Sequence, residues 1–158
     1  MILATQGVQL TSRCDRCGGE LVRDVSQFVD HGRLRWSVEE GCRDCRNGSC
    51  ETGVGPAPEE IRQALLTEHG AARLRLADQE AGRVPILRAL REQLPDVSLG
   101  EAVRLAAELR EVGLVGTLVE MAYLAEALRC RSVAVDLSAR TGPPDQTCED
   151  RPLRATTH

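Results

Sequence analysis

Two hydrophobic periods divide the chain. Leu34, Trp36 and Val38 alternate with Arg35 and Ser37, the period of a half-buried strand, and 22–29 supplies a partner strand across a turn at Asp30-His31-Gly32. Past residue 58 the period lengthens. Pro58 stands at a first helical position, Glu59 and Glu60 follow where carboxylates suit the helix dipole, Ile61, Leu65 and Leu66 share a face, and Gly70 stops the helix.

From residue 71 the pattern predicts strand, helix, helix, strand, helix, strand. Leu74 and Leu76 alternate with Arg73 and Arg75, and Val84, Leu87, Leu90, Arg91 and Leu94 then recur at helical spacing until Pro95. Ser98 with Glu101 three residues on is a capping box, and Val103, Ala106, Ala107 and Leu109 follow it. Residues 113–119 are short and apolar, Met121, Leu124, Ala125 and Leu128 are helical, and Val133, Val135 and Leu137 close as a strand. The three strands should share one sheet, with Leu87, Leu90, Leu105, Leu109, Leu124 and Leu128 buried under the helices.

The residues between these patterns set the expected organisation. Gly and Pro punctuate 51–58, which reads as a linker, and the polar stretch after Ser138, with Pro143 and Pro144, reads as a disordered tail. The expected fold is α+β: a zinc ribbon over 1–50, a linker and connecting helix over 51–70, an α+β domain over 71–137 and a tail over 138–158. Aromatic residues are nearly absent, with one Trp, one Tyr and one Phe, so the core past the ribbon must be aliphatic.

Cysteine changes the picture most. Five of the seven lie in 11–50, and Cys14-x2-Cys17 and Cys42-x2-Cys45, 24 residues apart, have the spacing of a four-thiolate zinc site. Gly18 and Gly19 let the backbone amides turn back toward the thiolates. A ribbon of about 40 residues buries too little apolar surface to fold unaided, so a structural Zn2+ is the expected cofactor. Four protein thiolates leave no open position for water, which argues against catalysis at the ion. Cys50 could exchange into the site but reads more simply as a surface thiol, Cys130 as a small buried apolar residue, and Cys148 falls in the tail. His31 and His69 read as solvated or capping rather than as ligands.

Charge narrows the partner. The formal net charge is −4, every one of the 20 basic residues is Arg, and 11–50 carries seven Arg against seven acids. Phosphate binding draws on clustered positive charge, so nucleic acid is the less favoured partner unless the Arg residues segregate to one face, and an anionic membrane is disfavoured too. The start Met1-Ile2-Leu3 has no basic region ahead of an apolar run, so a cytoplasmic location is expected. No nucleophile elbow, phosphate-cradling loop or deaminase signature appears, and an enzyme is not expected.

Residues 83–91, Arg-Val-Pro-Ile-Leu-Arg-Ala-Leu-Arg, followed by Leu99-Gly100-Glu101-Ala102, resemble the basic-apolar helix and the next helix of the C-terminal domain of the bacterial ribosomal stalk protein. Leu74 and Leu76 fall at that domain's first strand, Leu124, Ala127 and Leu128 at its last helix, and Val135-Asp136-Leu137 at its last strand. The resemblance spans about 71–137. It implies a face that recruits a partner protein, as the family's domain recruits translational GTPases, carried here by Arg83, Val84, Leu87, Arg88 and Arg91. The second helix departs from the family, with Gly100 and Val103 where it places lysines, and the cysteine-rich region stands in place of its dimerising region and hinge. The expected function is therefore a protein-binding module with structural zinc: an adaptor for a translation or transcription component, or an immunity-type neutraliser of a toxin. A nucleic-acid-binding zinc ribbon is the alternative.

Overall fold

A computed structural model describes residues 2–139 as a mixed α+β chain with two antiparallel sheets and four helices. The strands β1 (Ile2–Arg13), β2 (Glu20–Asp30), β3 (Arg33–Cys42) and β4 (Gly48–Val54) form the first sheet in sequence order. A helix α1 (Glu59–His69) leads to the second part: β5 (Ala72–Leu76), α2 (Arg83–Gln93), α3 (Leu99–Glu111), β6 (Leu114–Gly116), α4 (Leu118–Arg129) and β7 (Val135–Ala139). Its three strands pair in the order β6-β5-β7, the single sheet that the sequence periodicity predicts.

Strand register explains which residues face inward on the first sheet. Val25 pairs with Val8 and Val38, Gln27 with Gln6 and Trp36, and Val29 with Ala4 and Leu34, so one face is a short apolar stripe interrupted by Gln27. The β2–β3 connection is a two-residue turn in which His31 and Gly32 both have positive φ, the geometry whose twist matches a hairpin. His31 pairs its ring with the Asp30 carboxylate at 2.6 Å and takes no part in a ligand set.

The expected 51–58 linker is corrected in its first half. Residues 51–54 belong to β4, which hydrogen-bonds along β3 from Gly41↔Gly48 to Arg35↔Val54, and Trp36 lies against Gly53, where any Cβ would strike the indole. Gly-rich composition hid a strand in which Gly53 makes room for the aromatic ring of Trp36. Strand β1, on the other edge of the sheet, carries too few strong apolar residues for its pattern to announce it. The expected connecting helix also does more than connect: Ile61 and Leu65 of α1 form a small core with Val25, Val38 and Ala57.

In the second part the core is aliphatic, as the scarcity of aromatics requires. Leu90, Leu109, Leu124 and Leu128 are buried as expected, whereas Leu87 and Leu105 are only half-buried. Ile86 and Ala89, not Leu87, complete the buried stripe of α2 with Leu90, so the helix is rotated from the face that Leu87 suggested. Ser98 caps α3 through the expected box, accepting from the Glu101 amide while Glu101 accepts from the Ser98 amide at 2.9 Å. Thr117 and Glu120 form a second such box on α4, so the apolar 113–119 run holds only a three-residue strand before the helix begins.

Helix α4 joins the two parts. It is apolar on most sides, as a helix buried between two layers must be. Met121, Leu124, Ala125 and Leu128 enter the second core, while Val119 packs with Val29 and Leu34 of the first sheet. Beside that contact lies a polar seam. The Thr117 hydroxyl donates to Gln27 at 2.5 Å with both side chains fully buried, and Arg62 of α1 donates to both Glu120 oxygens, at 2.9 and 3.2 Å. Strand β7 runs through Ser138 and Ala139, beyond the expected domain end at 137, and the rest of the expected tail lies outside the described residues.

Candidate metal centre and docking face

The four cysteines sit on two loops at one end of the first sheet, between β1 and β2 and between β3 and β4. Both loops are built alike. The Cys14 amide donates to Gly19 O and the Cys42 amide to Asn47 O, each at 2.8 Å, closing two turns of equal length over Cys-x2-Cys. Gly18 adopts a φ of 73°, which a residue with a Cβ resists, and this lets the Gly19 amide point at Cys17 Sγ, 3.3 Å away. The Asn47 amide points likewise at Cys45 Sγ and the Asp44 amide at Cys42 Sγ, both at 3.4 Å.

All four Sγ atoms lie within 4.8 Å of one another, with Cys14 to Cys45 at 3.8 Å and Cys17 to Cys42 at 3.5 Å. A tetrahedral ion with metal–sulfur bonds of about 2.3 Å has sulfur–sulfur edges of about 3.8 Å, so the cluster fits a four-thiolate metal site. The amides aimed at sulfur favour thiolate over thiol. Cys14 shows this most: the Cys17 amide and the Asn47 side chain lower its pKa to about 6. Cys17 moves the other way, to about 12, because the Gly19 amide that favours its thiolate is outweighed by Cys42, burial, Cys45 and Cys14 acting together. Four sulfurs at these distances repel one another as thiolates, and a divalent cation among them removes that penalty.

Sequence spacing picked out the four clustered cysteines and missed their supports. Asn47 both donates its amide to Cys45 and turns its side chain to Cys14 Sγ at 3.5 Å, and the Asp44 carboxylate accepts from the Glu20 amide while filling the space over Gly19. Both follow a Cys by two residues, the position where Gly19 stands in the first loop. Cys50 lies in β4 opposite Glu39 and is not one of the clustered sulfurs. Cys130 is exposed at the end of α4, with its thiol toward Glu126, so the expectation that it is buried is corrected. His69 bonds Gly7 O through Nε2 at 2.8 Å and ties α1 to β1. Cys148 lies outside the described residues.

Of the expected docking residues, Val84, Leu87, Arg88 and Arg91 line a groove of about 400 Å³ together with Glu92, Pro95, Leu99 and Arg131. Arg83 lies one residue outside it, on the α2–α3 cleft with Ile86 and Val103. Val84 and Leu99 are 58% and 57% exposed. Glu92 pairs with Arg131, and among the described residues Arg83, Arg88 and Arg91 form no ion pair. Pro95, Leu99 and Arg131 were not anticipated, since they come from three separate segments. In and beside the first sheet Arg23 pairs with Glu40 and Glu60, Arg35 with Asp30, and Arg43 with Glu20, while Arg33 forms no ion pair among the described residues.

Among the described residues no helix is long and apolar enough to cross a membrane. Comparison with protein-family models, with curated proteins and with solved structures finds no match to the chain.

Proposed function

We propose that the chain is a non-catalytic protein-binding module, in which a structural zinc ion organises the end of the first sheet and the α2 groove docks a partner protein. The observation that carries the docking reading is the groove itself: an apolar floor of Val84, Leu87, Pro95 and Leu99 beside Arg88 and Arg91, which have no carboxylate partner among the described residues, in a chain of net charge −4. Exposed apolar surface rimmed by unpaired charge marks interaction sites, and a guanidinium can take a carboxylate through two parallel hydrogen bonds. The resemblance to the ribosomal stalk domain supports the same face, and with it an adaptor role toward a translation or transcription component; neutralisation of a toxin is the other role this surface suits.

Zinc is the reading favoured for the ion. Thiolate sulfur is a soft donor, tetrahedral four-sulfur geometry suits zinc or iron, and the closed ligand set leaves the ion a folding role. Cys14, Cys17, Cys42 and Cys45 would hold it. The groove is tested by recovering partners from the native cytoplasm with the wild-type chain and with Arg88→Glu plus Arg91→Glu. Loss of protein partners in the variant supports the face, and equal recovery contradicts it. Recovery of nucleic acid alone, falling steeply with salt, would favour the nucleic-acid reading, which the ion pairing of Arg23, Arg35 and Arg43 disfavours.

A further inference from the structure

A second cleft lies on the other side of the α2–α3 turn. It measures about 380 Å³, within the range of sites that take a ligand or a large side chain, and it is walled by Leu34, Val54, Pro56, Leu94, Pro95 and Val97, with Tyr123 of α4 also lining it. Both parts of the molecule build it, since Leu34, Val54 and Pro56 come from the first sheet and its exit while Leu94 to Val97 come from the turn. Glu92 and Pro95 line this cleft and the α2 groove alike, so the two are one surface divided by a ridge.

Two observations say what would cover it. Val54 is 59% exposed, and it is one of five large apolar residues exposed among the described residues; three of them, Val54, Val84 and Leu99, sit on these two clefts. The charge balance is the second. Arg33 on this cleft and Arg88 and Arg91 on the groove have no ion-pair partner among the described residues, Glu92 is neutralised by Arg131, and Asp96 is the one acid left without a partner. That is three free positive charges against one negative, inverted from the chain as a whole. The Tyr123 ring offers an aromatic face in the cleft, and burial raises its hydroxyl pKa although Arg33 nearby pulls it down.

We propose that this cleft is the anchor pocket for one aromatic side chain of an acidic peptide segment that crosses the Glu92–Pro95 ridge into the α2 groove. The proposal rests on the docking reading of that groove and adds a second contact, on the first sheet. An aromatic anchor in a desolvated pocket carries a disproportionate share of binding energy, while carboxylates flanking it would meet Arg33 on one side and Arg88 and Arg91 on the other.

The test is selection of random peptides displayed on phage against the full chain, followed by affinity and amide chemical-shift measurements with the enriched peptides. The expected consensus joins Asp or Glu to one Trp, Phe or Tyr, with shifts at Val54, Leu94 and Val97 as well as at Leu87 and Arg88. Val54→Asp, at an exposed position that does not threaten folding, should weaken binding by roughly tenfold or more, and Arg88→Glu plus Arg91→Glu should weaken it too. If the Arg variant loses binding while Val54→Asp does not and the shifts stay on α2, the anchor pocket is overturned and the docking face stands. If Val54→Asp loses binding while the Arg variant does not, the docking face fails and the cleft alone is the site. Enrichment of no acidic-aromatic consensus overturns the proposal, as does concentration-dependent dimerisation abolished by Val54→Asp, which would assign the cleft to a second copy of the chain.

Discussion

The two parts of this molecule reach stability by different routes. The second sheet and helices α2 to α4 share a core of sixteen buried residues, against five in the cluster between α1 and the first sheet and three where that sheet meets α4. The first sheet spends long strands on little apolar burial, and its end carries four sulfurs where a larger fold would place a second hydrophobic layer. A small apolar stripe can be compensated by a metal or by a neighbour. Here the sheet has a four-sulfur cluster that could hold a metal at one end and α4 against its middle.

That contrast can be broken on the aliphatic side first. Leu128→Ala removes a fully buried side chain from the large core and should cost about 2 to 5 kcal/mol, measured by denaturant unfolding, with Leu124→Ala expected in the same range. A cost below about half a kcal/mol would mean that α4 does not fill that core. The seam comes next. Gln27→Leu leaves the buried Thr117 hydroxyl without its acceptor and should cost about 1 to 3 kcal/mol, lowering stability without loss of metal. An unchanged midpoint would mean that the Thr117–Gln27 hydrogen bond adds nothing to the joint that Val119 and Glu120 also make.

The smallest effect belongs to the α3 cap. Ser98→Ala should cost about 1 kcal/mol. The Ser98 amide and hydroxyl hold the Glu101 pKa below the usual carboxylate value, with burial opposing them and Arg104 assisting. Because the folded value is the lower one, this contribution is present above the unfolded pKa of about 4.3 and is lost as pH falls through the folded value. Acid titration of the wild type against Glu101→Gln checks the sign: the difference in stability should shrink as pH drops, and a growing difference would contradict it.

What the sequence disclosed follows the same division. Strong periods and local chemistry were legible: the four clustered cysteines from their spacing, the Ser98 box from its two residues, and the element order past residue 71 from the switch of period. Long-range pairing was not. Strand β4 was concealed because its glycine serves Trp36 from across the sheet, and Gln27 and Thr117 meet 90 residues apart. Helix α2 buries Ile86 and Ala89 with Leu90 rather than Leu87, because Leu87 shares helical spacing with Leu90 as well as Ile86 does, and periodicity alone does not say which side meets the sheet. Leu87, expected in the core, is half-buried and lines the groove. Apolar side chains at a binding face carry the same signal as apolar side chains in a core.

Hydrogen exchange of the full chain, with one equivalent of zinc and after its removal by a chelator under reducing conditions, tests the division most directly. Removal should strip protection from the two cysteine loops and the adjoining ends of β1 to β4, while amides around Leu90, Leu109 and Leu128 remain protected, because metal binding supplies folding free energy only where the site lies. Exchange that is unchanged across the cysteine loops would contradict a structural ion there, and protection lost uniformly through both parts would contradict a second core able to stand without it.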